Sequence, residues 1–292
     1  MFSRMLVATD LSPASFAVVK CLHGLRTFGT KQCLLLQCLT FQEAASTSYS
    51  YTTEHIEGPL NEQKAILEKQ GFEVEARVGP GVAKHEINRV AVEENYSLIV
   101  AGTQGHSMVG GALLGGVAYA VIHGARKPVL LVPVAKKPGE TNECDPVARC
   151  NFVEHVLFPT DFSENADHAF TYLEKLAVDG ARHITLLHVQ DKTRIEGYLK
   201  HRLKEFNEID QGRLEKMKDA LQGKSAAQID IEICYGAPFT EITRLIRERD
   251  AQLVVMGSQG RGFVAELFLG SISHNVARHS DAPVLLVPAK ER

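Results

Sequence analysis

The sequence has no strong excess of charge of one sign. Its 32 Lys and Arg residues are nearly balanced by 35 Asp and Glu residues, which gives a formal net charge of −3. A nearly neutral chain lacks the positive field that draws proteins to nucleic acid, so no nucleic-acid partner is expected. The length of 292 residues, with 45% hydrophobic and 23% charged residues, is typical of about two globular domains.

Long hydrophobic runs without glycine are scarce as well. The first apolar run, Met5–Ala8, meets Asp10 almost at once, so it predicts a strand rather than the core of a signal peptide. The uncharged stretch His106–Ala125 is rich in glycine, which predicts a loop followed by a buried helix rather than a membrane span. We therefore expect a cytoplasmic protein that does not cross a membrane.

The chain also lacks the residue spacings of metal, redox and nucleophilic sites. No CxxC pair occurs, and the 12 histidines show no metal-ligand spacing, so neither a metal site nor a catalytic residue is predicted. Without a secretory signal the cysteines are expected to be reduced thiols. The six cysteines are Cys21, Cys33, Cys38, Cys144, Cys150 and Cys234.

An internal repeat is present. The segment Met5–Ser12 (MLVATDLS) matches Val156–Ser163 (VLFPTDFS) at an offset of 151 residues. Further along, Leu98–Gly105 (LIVAGTQG) matches Leu253–Gly260 (LVVMGSQG) at an offset of 155. The rise from 151 to 155 means that four extra residues enter the second copy, between its second and third strands. Matches in one order over such lengths indicate a duplicated domain.

Each copy alternates short apolar runs with segments of helical periodicity. Apolar residues recur at helical spacing over Ala14–Leu25 in the first copy and over Ala166–Leu176 in the second. Strands that alternate with helices predict an α/β domain with a parallel sheet covered on both faces. We place the domains at 1–135 and 152–292, joined by the polar, Pro- and Gly-containing linker 136–151.

Two features of the second copy fall at the carboxyl ends of its strands, where open parallel sheets bind ligands. Asp161 follows the first strand, and the glycine loop Gly257–Ser273 follows the fourth. Glycines let backbone N–H groups approach an anion, and Ser271 and Ser273 would open a helix whose N-terminus favours phosphate. Arg261 adds a positive charge. The spacing is neither that of a Walker A loop nor that of GxGxxG.

Structural alternatives remain for these features. Asp161 could cap the next helix instead of accepting a hydrogen bond from a ligand, and the glycines could form a simple turn before a serine cap. The first copy also departs from the second, because Gly116 stands in place of Ser271 and His106 in place of Arg261. The first site is therefore expected to bind polyphosphate more weakly, or not at all.

Taken together, Thr-Asp-x-Ser, Gly-x2-Gly-x9-Gly-Ser and Pro-Val-Leu-Leu-Val-Pro resemble the universal stress protein family over both copies. The resemblance implies two tandem Rossmann-like domains, each a five-stranded parallel sheet in the order 3-2-1-4-5 with helices on both faces. It implies nucleotide-binding residues at Pro159, Thr160, Asp161, Val189, Met256, Gly257, Gln259, Gly260, Arg261, Gly270, Ser271 and Ser273. The weaker candidates in the first domain are Asp10, Cys38, Gly102, Gly105 and Gly115.

The resemblance implies an ATP-binding regulatory protein of the stress response, with the nucleotide mainly in the C-terminal domain and Mg²⁺ as a candidate companion. Two alternatives stay open: a slow ATPase, and a nucleotide-free interaction module that dimerises. Family members pair through their fifth strands, so a homo-oligomer or a pseudo-dimer within one chain is expected. The sequence names no protein partner.

Overall fold

The computed structural model describes residues 2–40, 53–103, 114–136, 144–146, 150–196, 200–260 and 269–290. Its contacts divide the chain into two compact units, Met1–Cys150 and Asn151–Arg292, which we call the first and second units. Across the ranges given above, no helix is both long enough and apolar enough to cross a membrane.

The first unit is a parallel sheet with helical crossovers. Its strands pair in the order β3-β2-β1-β4-β5, all parallel, as predicted. The strands are β1 Arg4–Thr9, β2 Gln32–Leu39, β3 Glu73–Pro80, β4 Leu98–Gly102 and β5 Val129–Val132. The α-helices are α1 Pro13–Lys20, α2 Gly58–Lys69, α3 Ala83–Glu93 and α4 Gly116–His123, with a 3-10 helix at His23–Arg26 and a π-helical turn at Thr53–Glu57.

The second unit repeats this architecture. Its strands pair in the order β10-β9-β8-β11-β12, again all parallel, which is the predicted order 3-2-1-4-5. The strands are β8 His155–Thr160, β9 His183–Asp191, β10 Gln228–Gly236, β11 Leu253–Gly257 and β12 Val284–Val287. The α-helices are α5 Glu164–Val178, α6 Lys192–Ile195, α7 Leu203–Gln222, α8 Pro238–Glu248 and α9 Ser271–His279, with a 3-10 helix at Lys200–Arg202.

The first helix of each unit is capped by the serine of its Thr-Asp-x-Ser motif, not by the aspartate. Ser12 and Ser163 are the N-caps of α1 and α5, and their hydroxyls accept from the backbone N–H three residues on, that of Ser15 and that of Ala166. The predicted apolar face of the first helix is buried as far as Leu25. The α-helix itself ends at Lys20, however, and the chain continues in the 3-10 turn.

The segment predicted as a linker begins with ordered contacts. β6, Val134–Lys136, pairs antiparallel with β7, Cys144–Pro146. Beyond it, Cys150 forms a disulfide with Cys21 at the end of α1, with a Cα–Cα distance of 5.2 Å. The expectation of reduced thiols is therefore wrong for Cys21 and Cys150. Two residues so far apart in the chain come together only in the fold, which is why sequence spacing did not reveal the pair.

We expect the substitution Cys150→Ser to lower the free energy of unfolding by about 2–5 kcal/mol under non-reducing conditions, because the disulfide closes a long loop and restricts the unfolded chain. Urea unfolding of wild type and variant, with and without dithiothreitol, measures the effect. Cys234→Ser, which removes a thiol outside any disulfide, serves as the control. An unchanged free energy of unfolding of wild type in dithiothreitol would contradict a stabilising disulfide.

A neutral histidine begins the first strand of the second unit. His155 Nδ1 lies 2.7 Å from the Arg249 carbonyl oxygen and donates to it, while Nε2 lies 2.8 Å from the Thr185 hydroxyl and accepts from it. The ring also stacks on that of His183, with centroids 4.0 Å apart. Burial is the main cause that holds the pKa of His155 below its ordinary value. The folded protein therefore resists protonation at this ring.

We expect the second unit to lose stability as the pH falls from 7.5 to 5. The unfolded His155 gains a proton below its ordinary pKa of about 6.5, whereas the folded ring, with its lowered pKa, does not. One such proton contributes a slope of up to about 1.4 kcal/mol per pH unit. The variant His155→Gln should show a shallower fall in urea unfolding over the same range. Identical slopes for the two proteins would show that another group controls the effect.

Candidate functional site

A cavity of about 750 Å³ opens in the second unit at the carboxyl ends of its central strands. The end of β8, the end of β9, the end of β11 and the start of α9 all contribute to its wall. Every predicted site residue of this unit that the structure describes lies on that wall. They are Pro159, Thr160, Asp161, Val189, Met256, Gly257, Gln259, Gly260, Gly270, Ser271 and Ser273. Arg261 lies outside the described residues.

The turn after β8 holds Asp161 in place. Phe162 has a left-handed backbone with φ of 56°, which is uncommon for a non-glycine residue. Two hydrogen bonds stabilise this turn: the Thr160 hydroxyl accepts from the Phe162 N–H at 3.0 Å, and Asp161 Oδ1 accepts from the Ser163 N–H at 3.1 Å. Asp161 therefore braces the turn before the helix, while Ser163 is the helix cap itself. Both roles leave the Asp161 side chain on the cavity wall.

The glycine loop approaches Asp161 closely at Gly260. A Cβ atom at this position would lie 2.8 Å from Asp161 Oδ2, a distance that real Cβ atoms essentially never show. Gly260 therefore lets the loop come up against the carboxylate, which a larger residue would push away. The alternative in which the glycines only form a turn before a serine cap gives no reason for a glycine at position 260. Because of the close contact, a side chain at position 260 would have to displace the Asp161 carboxylate.

The described ends of the glycine loop lead into α9. The Ser258 N–H donates to the Val287 carbonyl at 2.8 Å, and the Gly270 N–H donates to the Ser258 carbonyl at 2.7 Å, which brings the start of α9 beside the end of β11. The first N–H groups of α9 have no partner within the helix, so they form an anion-favouring end on the cavity. Ser271 is exposed there. Ser273 is buried and donates to the Gly257 carbonyl at 2.8 Å.

Another wall of the cavity comes from residues that the sequence analysis did not single out. They are Gln190 and Asp191 of β9, Arg194 and Ile195 of α6, and Phe206, Ile209, Asp210 and Arg213 of α7. In sequence this segment shows only a length difference of four residues and charges of both signs. Such mixed charges are typical of a solvated helix face, although Leu214 and Leu221 of the same helix are buried at helical spacing. Packing of α7 against β9 and β10 turns part of that face toward the cavity.

A buried polar network lies in this wall. The Gln190 amide donates to Asp210 Oδ2 at 2.9 Å, and His188 Nε2 lies 3.5 Å from the same oxygen. His188 Nδ1 donates to the Thr160 carbonyl at 2.8 Å, which ties the network to the end of β8. The ring centroids of His188 and Phe162 are 4.6 Å apart. The network therefore connects the wall of the cavity to the turn that holds Asp161.

The first unit repeats the turn geometry of the second. Leu11 has a φ of 60°, the Thr9 hydroxyl accepts from its N–H at 3.0 Å, and Asp10 Oδ1 accepts from the Ser12 N–H at 3.0 Å. The Gly115 N–H donates to the Thr103 carbonyl at 2.7 Å, as the Gly270 N–H does to the Ser258 carbonyl.

The other candidates of the first unit lie at strand ends. Gly102 ends β4, and Cys38 lies near the end of β2. Burial raises the pKa of the Cys38 thiol to about 11. Gly105 lies outside the described residues.

The first unit differs beside this turn. Gln63 of α2 is fully buried, accepts from the Thr9 hydroxyl at 2.8 Å, and donates to the Ser15 hydroxyl at 3.1 Å. The residues that align with Thr9 and Ser15 are Thr160 and Ala166, and both line the cavity of the second unit. A glutamine side chain thus occupies the space beside β1 that stays open beside β8.

The comparisons with known proteins agree with this architecture. A universal stress protein of Methanocaldococcus jannaschii is 30% identical over 154 residues, which cover 46% of this chain and 94% of that relative. A universal stress protein of Mycolicibacterium smegmatis is 25% identical over 233 residues, which cover 77% of this chain and 74% of that one. The crystal structure of a universal stress protein from Archaeoglobus fulgidus has a TM-score of 0.69 at 26% identity and covers 99% of this chain and 97% of its own.

The family model described as the universal stress protein family matches the chain twice, over residues 1–133 and 153–288. The two matches fall one in each repeat and together account for nearly the whole sequence. The resemblance inferred from the three motifs is therefore confirmed, and the chain belongs to the universal stress protein family.

Proposed function

We propose that this protein is a nucleotide-binding regulator of the stress response and that ATP binds in the cavity of the second unit. One observation carries the proposal: the predicted residues of three separate loops share the wall of a single cavity. A volume of about 750 Å³ is within the range of small-molecule sites. The Mg²⁺ ion that accompanies ATP in solution would enter with the phosphates.

The chemistry of the cavity supports this ligand. The open N-terminus of α9 and the Ser271 hydroxyl supply hydrogen-bond donors suited to phosphate. Asp161 supplies a carboxylate that can accept from a ribose hydroxyl. Apolar side chains such as Ile195, Phe206 and Ile209 offer a surface for the flat face of a base. The three kinds of group that a nucleotide needs are thus present together.

The alternative of a nucleotide-free module suits the first unit better than the second. Gln63 is buried between Thr9 and Ser15, and its two hydrogen bonds would have to be broken before a ligand could reach that turn. We infer that one nucleotide binds per chain. The cytoplasmic location, the domain limits at 135 and 152, and pairing through the fifth strands stay predictions.

We expect the double variant Gly260→Val, Ser271→Ala to bind ATP at least about tenfold more weakly than wild type. The valine side chain would meet Asp161 Oδ2, and the alanine removes a hydroxyl from the start of α9. Isothermal titration calorimetry measures the affinity. Gly116→Ser is the matched control in the first unit, because an added Cβ there meets nothing within 4 Å. Equal affinities in wild type and the double variant would reject the proposed site.

A second prediction compares the two equivalent aspartates. Asp161→Asn should weaken ATP binding about tenfold, because a carboxylate accepts from a hydroxyl more strongly than an amide does. Asp10→Asn makes the same chemical change at the same turn of the first unit and should leave both affinity and stoichiometry unchanged. Calorimetry on the two single variants tests this difference. Similar losses in both would show that nucleotide binding is not restricted to the second unit.

A further inference from the structure

A carboxylate lies buried in the wall of the cavity. Asp210, in the middle of α7, is only 8% exposed, yet it lines the cavity. A buried carboxylate is costly unless hydrogen bonds or opposite charges compensate it. The groups around it therefore indicate which part of its bonding capacity is already used within the protein.

The partners of Asp210 are concentrated on one of its two oxygens. Oδ2 accepts from the Gln190 amide at 2.9 Å and faces His188 Nε2 at 3.5 Å. Oδ1 lies 3.7 Å from Arg213 Nη1, which is beyond hydrogen-bond length, and the Arg213 side chain is half exposed. An ionised carboxylate has about four acceptor positions, so Oδ1 retains capacity for a donor from a ligand.

The network lies at the end of β9, beside the predicted site residue Val189. His188 and Gln190 flank Val189, and alternate residues of a strand point to the same face of the sheet. Gln190 donates to Asp210 and His188 Nε2 lies 3.5 Å from it, so the carboxylate lies on the part of the cavity wall that the end of β9 forms. Asp210 is thereby fixed in position before any ligand binds.

The groups on the cavity wall also favour one orientation of a bound nucleotide over the other. The start of α9 favours an anion. On the wall that α6 and α7 build, Arg194 and Arg213 balance the charges of Asp191 and Asp210, and the buried Asp210 carboxylate accepts from neutral N–H groups. Apolar residues around Asp210, including Phe206 and Ile209, suit a flat base better than a phosphate. The exocyclic amine of a purine base is a neutral N–H donor of this kind.

We propose that Asp210, held by the hydrogen bond from Gln190, is a specificity-determining residue that accepts a hydrogen bond from the exocyclic amine of a bound adenine. This inference rests on the proposed nucleotide site and names the part of the ligand that the site selects. A base with an oxygen at the same position would present an acceptor to the carboxylate and would be rejected.

The test compares ATP with inosine triphosphate, which carries an oxygen in place of the adenine amine. Wild type should bind ATP at least about tenfold more tightly, because a buried acceptor facing another acceptor is left unpaired. In Asp210→Asn the side-chain oxygen still accepts from Gln190, so the amide N–H₂ faces the ligand. The preference for ATP should therefore fall by about tenfold or more.

Asp219→Asn is the matched control, because it removes the same charge from an exposed position of α7 away from the cavity wall. It should keep the wild-type preference. Equal affinities of wild type for the two nucleotides, or an unchanged preference in a folded Asp210→Asn protein, would overturn the role of Asp210 while leaving the nucleotide site intact. Failure of wild type to bind either nucleotide would overturn both proposals.

Discussion

Each repeat depends on a left-handed turn directly after its first strand. Leu11 and Phe162 occupy a backbone region that is unfavourable for residues with a side chain, at a cost of about 1–3 kcal/mol. The threonine and aspartate before them offset that cost, since both side chains accept backbone N–H groups of the turn. The turn leads the chain into the first helix and leaves the aspartate at the carboxyl edge of the sheet. In the second unit Gly260 of the glycine loop lies against that aspartate.

The two repeats use the space next to this turn differently. In the first unit, Gln63 of α2 satisfies the hydroxyls of Thr9 and Ser15 and is itself fully buried. In the second unit the position of Ser15 is taken by Ala166, which has no hydroxyl to satisfy, and a cavity is open beside it. A packed polar cluster in the first unit thus corresponds to a ligand-sized cavity in the second.

The cavity of the second unit has chemically different groups on two parts of its wall. Backbone donors and a serine hydroxyl lie at the start of α9, whereas the buried carboxylate of Asp210 lies on the wall built by α7. The two parts come from segments of the chain with different constraints. The glycine loop is tied to β11 and β12 by main-chain hydrogen bonds, but α7 belongs to the segment whose length differs between the repeats. Variation in that segment can alter the α7 wall of the cavity without disturbing the main-chain hydrogen bonds at the start of α9.

The sequence by itself determined the duplication, the order of strands and helices, and the two loops that carry Asp161 and the glycines. These features are local: period, turn residues and glycine spacing act over a few residues and reappear at a constant offset. Only the tertiary structure decided that Cys21 bonds Cys150, that Gln63 reaches Thr9, and that Asp210 joins Gln190 and His188. Each of these contacts joins residues from different elements, and the packing of helices on the sheet, which no short-range pattern encodes, sets which side chains meet.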